Sequence, residues 1–237
     1  MGNNLVERCC RGAIALAVLF ALALSLSMTP TASYKAKVQT SCQHFKESGR
    51  TICGKFLGYW LKTGGLAQQG YPISSEMLEE SDTDGKTYVV QYFERAVFER
   101  HPENNPPDDV LLQLLGVFAY AQKYPDGAPG QVANTSAGSQ LFGATGKRAG
   151  GRFLEYWQAH GGLTQQGYPI SDEFEEKSPL DGKTYKVQYF ERAALEYHPE
   201  NEAPYDVLLS QLGTFRYNDR YGAGSPRTPV PILTEGE

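Results

Sequence analysis

The chain has 237 residues, with 22 Lys and Arg against 27 Asp and Glu and a formal net charge of −5. No basic stripe is present, which argues against nucleic acid and anionic lipid as partners. The four histidines and four cysteines fall in no metal-ligand spacing, so the sequence implies no metal and no cofactor.

In chain order, Arg8 and Arg11 precede an apolar run from Ala13 to Leu24 that continues as Ser25–Met28. Thr31 and Ser33 then offer small residues for cleavage before Tyr34. This pattern reads as a secretory signal over residues 1–33, which predicts a secreted or cell-envelope protein. The run is marginal for a hydrocarbon core of about 30 Å, so an uncleaved anchor is the alternative, and no other membrane contact is implied. Removing residues 1–33 takes away Glu7, Arg8 and Arg11. That leaves 20 basic (22 − 2) and 26 acidic (27 − 1) side chains, a net charge of −6. Two cysteines remain, Cys42 and Cys53. In an oxidising compartment a disulfide closing this short loop would contribute on the order of 3 kcal/mol.

The rest of the chain is a duplication. Phe56 recurs as Phe153 and His101 as His198, a constant offset of 97 residues (153 − 56, 198 − 101). Between Cys53 and Gly116 roughly two-thirds of positions match their partners, so the copies can be compared as two versions of one fold. The modules span 42–123 and 139–221, with a linker at 124–138 rich in Gly, Ala, Pro and Ser and a Pro-rich tail at 222–237. Ser139 and Gly150 replace the cysteines in the second copy, so the fold does not require the bridge.

Within each copy Phe56, Tyr59 and Trp60 (Phe153, Tyr156 and Trp157) predict a short amphipathic helix stopped by Gly64-Gly65 or Gly161-Gly162. Gly70-Tyr71-Pro72 turns the chain, and Asp84-Gly85 signals a hairpin. Strands are expected from Tyr88 to Phe93 and from Val97 to His101. A last helix is expected from near Asp109 or Asp206, with Val110, Leu111, Leu114 and Leu115 on one face. The fold class is therefore α+β: two tandem modules, each of short helices on a small antiparallel sheet.

Val89 in the first copy is Lys186 in the second, and an unpaired lysine is rarely buried. By alternation Gln91 and Phe93 share that wetter face, while Tyr88, Val90 and Tyr92 point to the core. A three-residue connection, Glu94 to Ala96, would set Gln91 opposite Glu99. Gln91, Phe93, Glu99 and His101, and likewise Gln188, Phe190, Glu196 and His198, then form an exposed platform able to hydrogen-bond a sugar or peptide. The competing reading is that these polar groups satisfy one another. Trp60 and Trp157, at helical spacing, are expected in the core.

No Gly-x-Ser-x-Gly, no cysteine shared by both copies and no His-Glu-x-x-His occurs, so no catalytic residue is assigned. A hydrolase would need a carboxylate pair defined only in space. Two alike modules fit additive weak binding better than one asymmetric cleft.

The motif Gly64-Gly65-Leu66, Gly70-Tyr71-Pro72-Ile73-Ser74, Asp84-Gly85 and Tyr92-Phe93-Glu94-Arg95 resembles the LGFP repeat of actinobacterial cell-envelope proteins. It also resembles a repeated domain of secreted Chloroflexi-type proteins, with its Phe-x-x-Tyr-Trp and Gly-Gly-Leu pattern. The tetrapeptide here is Gln-Gly-Tyr-Pro instead of Leu-Gly-Phe-Pro. The resemblance implies a non-catalytic envelope role, with cell-wall or extracellular polysaccharide as partner and protein adhesion as the alternative. Alkylation and mass spectrometry before and after reduction should find Cys42 and Cys53 linked in the exported protein; two free thiols would refute the bridge.

Overall fold

A computed structural model describes residues 41–223 and 228–231; the signal segment and most of the tail lie outside the described residues. The first copy opens with a hairpin of β1 (Cys42–Phe45) and β2 (Arg50–Cys53), whose ends a Cys42–Cys53 disulfide joins. Helix α1 (Gly54–Lys62) buries Phe56, Leu57 and Trp60 at the expected spacing and ends at Thr63. Gly64 follows in the left-handed region at φ 94°, a conformation that glycine adopts without a Cβ clash. Next come the short α2 (Gly65–Gln69), then β3 (Met77–Glu80), β4 (Thr87–Tyr92), β5 (Val97–Arg100), β6 (Val110–Leu112) and helix α3 (Leu115–Lys123).

The second copy repeats this order. It runs β7 (Gln140–Phe142), β8 (Lys147–Ala149), α4 (Gly151–Ala159), α5 (Gly162–Gln165), β9 (Phe174–Lys177), β10 (Thr184–Tyr189), β11 (Ala194–Tyr197), β12 (Val207–Leu209) and α6 (Leu212–Tyr221), with β13 (Val230–Pro231) after it. The larger sheets are antiparallel, in the orders β13-β3-β4-β5-β6 and β12-β11-β10-β9. The chain is thus α+β with two similar halves. Where the first hairpin has its disulfide, the second is tied by Arg148, which donates to the Ser139 carbonyl at 3.1 Å and hydroxyl at 2.9 Å.

The last helix of each copy starts later than expected. Val110–Leu112 is a strand, with Phe98 opposite Leu112 and Arg100 opposite Val110. The open edge of β5 offers backbone partners to this segment, and that pairing outweighs the helical spacing of its apolar residues.

The helices that follow change places. Helix α3, from the first copy, packs its Tyr120 and Tyr124 on Tyr189 of the second sheet. Helix α6, from the second copy, packs Tyr217 and Tyr221 on Tyr92 of the first. The two helices also touch each other. One central core therefore draws Val90, Tyr92 and Leu115 from one copy together with Val187, Tyr189 and Leu212 from the other. Two smaller cores lie on the outer sheet faces, around Trp60 and Phe98 in the first half and around Phe153 and Leu195 in the second.

The segment after α3 follows its helix. Ala128 is buried in the central core, and Val132 bridges to Glu173 beside the second sheet. The segment after α6 does the same on the first sheet, where Val230 pairs with Leu78. The stretch between the copies is thus part of the packed structure.

The crossing rests on two glycines. A Cβ on Gly116 would lie 1.8 Å from the Phe190 carbonyl oxygen, and one on Gly213 would lie 1.9 Å from that of Phe93. The next amides, Val117 and Thr214, donate to Glu191 and Glu94 carbonyls at 3.1 Å each. Because the obstacle is backbone, relief requires moving a helix. Gly213→Ala and Gly116→Ala should each lower the unfolding free energy by about 3 kcal/mol or more in urea titrations. Gly58→Ala, on an open helix face, should leave it unchanged or slightly raised.

Candidate functional site

The expected exposed platform does not exist, for two reasons. First, the hairpin turn is two residues, Glu94-Arg95, closed by the Phe93 amide to the Ala96 carbonyl at 2.8 Å. Val90 therefore opposes Glu99 and Gln91 opposes Phe98, so Gln91 and Glu99 point to opposite faces. Second, both faces of the sheet are covered: one by α1 and the first hairpin, the other by the exchanged helix. The Val89/Lys186 contrast marks only the open start of this strand. Tyr88, Val90 and Tyr92 do point into the core, and Trp60 is buried there, its Nε1 donating to the Gly70 carbonyl.

Gln91 and Gln188 are fully buried. Each donates twice to backbone carbonyls, Gln91 to Thr51 and Ser74 and Gln188 to Arg148 and Ser171, which fastens the hairpin to the sheet. Phe93 and Phe190 are interior residues, and Phe93 stacks within 4.2 Å of Phe98. Glu99 accepts from Gln113 at 2.9 Å and Ser81 at 3.3 Å and lies 3.3 Å from His101. Glu196 accepts from Ser210 and lies 3.4 Å from His198. His101 and His198 lie over Tyr88 and Tyr185. These polar residues hold the fold together.

Nearby, Glu79 and Glu176 receive the exchanged helices. Glu79 accepts from Tyr92 at 2.7 Å, Gln113 at 3.1 Å and Tyr221, and pairs with Arg220. Glu176 accepts from Tyr124 at 2.6 Å and Tyr189 at 3.0 Å and pairs with Lys123 at 2.8 Å. Burial, Glu79 and the bond to it push the Tyr92 hydroxyl above its ordinary pKa, so it stays a donor. A cavity of about 590 Å³ borders this joint, but its guanidiniums are engaged: Arg216 and Arg220 both hold Asp82, and Arg216 lies 3.7 Å from the Phe118 ring.

Between the copies runs a seam of uncharged groups with two-fold reciprocity. Gln68 donates to the Tyr156 hydroxyl at 2.6 Å, and Gln165 to the Tyr59 hydroxyl at 2.8 Å. Gln69 donates to Gln165 at 2.8 Å and Gln166 to Gln68 at 3.2 Å. Burial raises both phenols, Tyr156 to about 12.

Beside this seam the symmetry breaks. In the first half a groove of about 600 Å³ lies along α1, walled by Tyr59, Pro106, Pro107 and Leu111, with Lys62, Thr63, Gln165 and Arg192 at its edge. Its floor includes Gly54 and Gly58, one helical turn apart. At the equivalent place in the second half Glu155 stands for Gly58 and pairs with Arg152, which is also held by Asp206 at 2.6 Å. His160 stands for Thr63 and stacks on Tyr156 at 4.0 Å. These side chains occupy the space that Gly58 and Thr63 leave open. The groove falls in the size range of small-ligand sites, roughly 300–1,000 Å³.

Sequence comparison pointed the other way, because it followed the residues that both copies kept. The signal for the groove lay in pairs that differ, Gly58 with Glu155 and Thr63 with His160. Among the described residues no group of three or more His, Cys, Asp or Glu could hold a metal ion, and no helix is long and apolar enough to cross a membrane. Comparison with family models, curated proteins and solved structures found no match.

Several surface carboxylates are held low. Asp84 is drawn to about 2 by the Tyr88 hydroxyl and the Lys86 amide, Asp181 is lowered by Tyr185, Asp109 by Lys55 and Asp206 by Arg152. A depressed carboxylate contributes stability above its unfolded pKa and loses it as pH falls through the folded value. Urea unfolding should therefore weaken steadily from about pH 4 to about pH 2. Asp84→Asn with Asp181→Asn should flatten that slope.

Proposed function

We propose that this chain is a non-catalytic, exported binding protein for cell-wall or extracellular polysaccharide, and that the groove beside Tyr59 is its site. The observation that carries this is the groove itself, open in one half and filled in the other by two substitutions. Its wall combines an aromatic ring and two prolines with hydroxyl, amide and cationic groups at the rim. Sugars present both apolar ring faces and hydroxyls, and such a surface meets both. The signal-like start and the LGFP-like motif support an envelope setting. The candidate carboxylates for hydrolysis, Glu79 and Glu99, are engaged in fastening helices and strands, which favours binding over catalysis.

The test is retention on purified peptidoglycan and on extracellular polysaccharide. Gly58→Glu with Thr63→His installs the second half's own residues and should abolish retention while leaving the melting temperature unchanged or raised. Retention that survives both substitutions would move the site elsewhere. Turnover of a glycan panel would replace binding with hydrolysis.

A further inference from the structure

The groove's charges indicate which polysaccharide it takes. Lys55, on its floor, is matched by Asp109 at 2.8 Å. Lys62 is exposed on the last turn of α1 and has no ion pair among the described residues. Arg192 reaches the same rim from the second half, donating to the Leu163 carbonyl at 3.1 Å and lying 3.6 Å from Glu191. Of the groove-lining acids, only Asp108 is left to face these two cations. The lining thus carries three positive groups and two negative ones, in a chain whose net charge is −5. The second half lacks this excess: Ala159 stands for Lys62, and Arg152 is matched by both Glu155 and Asp206.

We infer that the groove binds an acidic oligosaccharide, with Lys62 and Arg192 meeting a sugar carboxylate beside the Tyr59 ring, and that each chain has one such site despite the duplication. This rests on the polysaccharide reading above and narrows it to carboxylate-bearing sugars. A local positive rim on an acidic protein selects an anionic segment by repelling it elsewhere and pairing it here. The neutral hydroxyls and amide of Thr63 and Gln165 suit sugar hydroxyls next to that carboxylate.

The experiment is calorimetric titration of the full chain with an oligogalacturonate tetramer, its uncharged galactose counterpart, and oligoglutamate. The expected result is binding of the acidic sugar at one per chain, weakened about tenfold by Lys62→Ala, a loss the size of one charge-assisted contact. Replacing Glu155→Gly, Ala159→Lys and His160→Thr together should raise the stoichiometry to two. Equal affinity for the neutral sugar, or no effect of Lys62→Ala, would overturn the acidic specificity while leaving polysaccharide binding intact. Equal affinity for oligoglutamate would make the ligand an acidic peptide instead. Binding of neither sugar, with no retention on cell-wall material, would overturn both.

Discussion

The architecture depends on two places where a helix passes against the backbone of the opposite half with only a hydrogen between them. At Gly116 and Gly213 the entering helix comes so close to a hairpin turn that no side chain fits. This closeness lets each copy lay its final helix across its neighbour's sheet. The sheets thereby become interior on both faces, which a module of this size could not achieve with its own helices alone. Each copy is incomplete by itself, and the pair forms one molecule with a shared core.

That arrangement separates two kinds of retained residue. Buried polar groups need partners wherever they lie, and a sheet covered on both faces has many to satisfy. Gln91, Glu99, His101 and their counterparts stayed because each secures a hairpin, a strand end or a docking helix. Glu79 and Glu176 stayed because each accepts the phenol of an incoming helix. Retention between copies here tracks the joints of the fold. Positions at the groove changed instead, because the two halves no longer need to present the same surface.

Much of this fold was legible in the sequence. The α1 periodicity, the Asp-Gly hairpin, the inward set Tyr88, Val90 and Tyr92, and the pairing of Cys42 with Cys53 all follow from local rules. What escaped was non-local. The strand at Val110–Leu112 forms only because β5 presents a free edge, which no helical wheel records. The register failed because a buried glutamate opposite Val90 looks costly until Gln113 and Ser81 appear beside it. The groove escaped because its defining feature is space: a glycine and a threonine where bulk stands in the other copy.

The seam between the copies has a property its geometry alone does not announce. Its members are side-chain amides and phenols, and none carries a charge in ordinary water, since burial holds both phenols protonated well above neutrality. Dissolved salt has nothing there to screen. Acid that loosens the surface carboxylates leaves this contact as it was. The two halves are thus held by a joint indifferent to the ionic medium, while the groove next to it, rimmed with unbalanced cations, is sensitive to that medium.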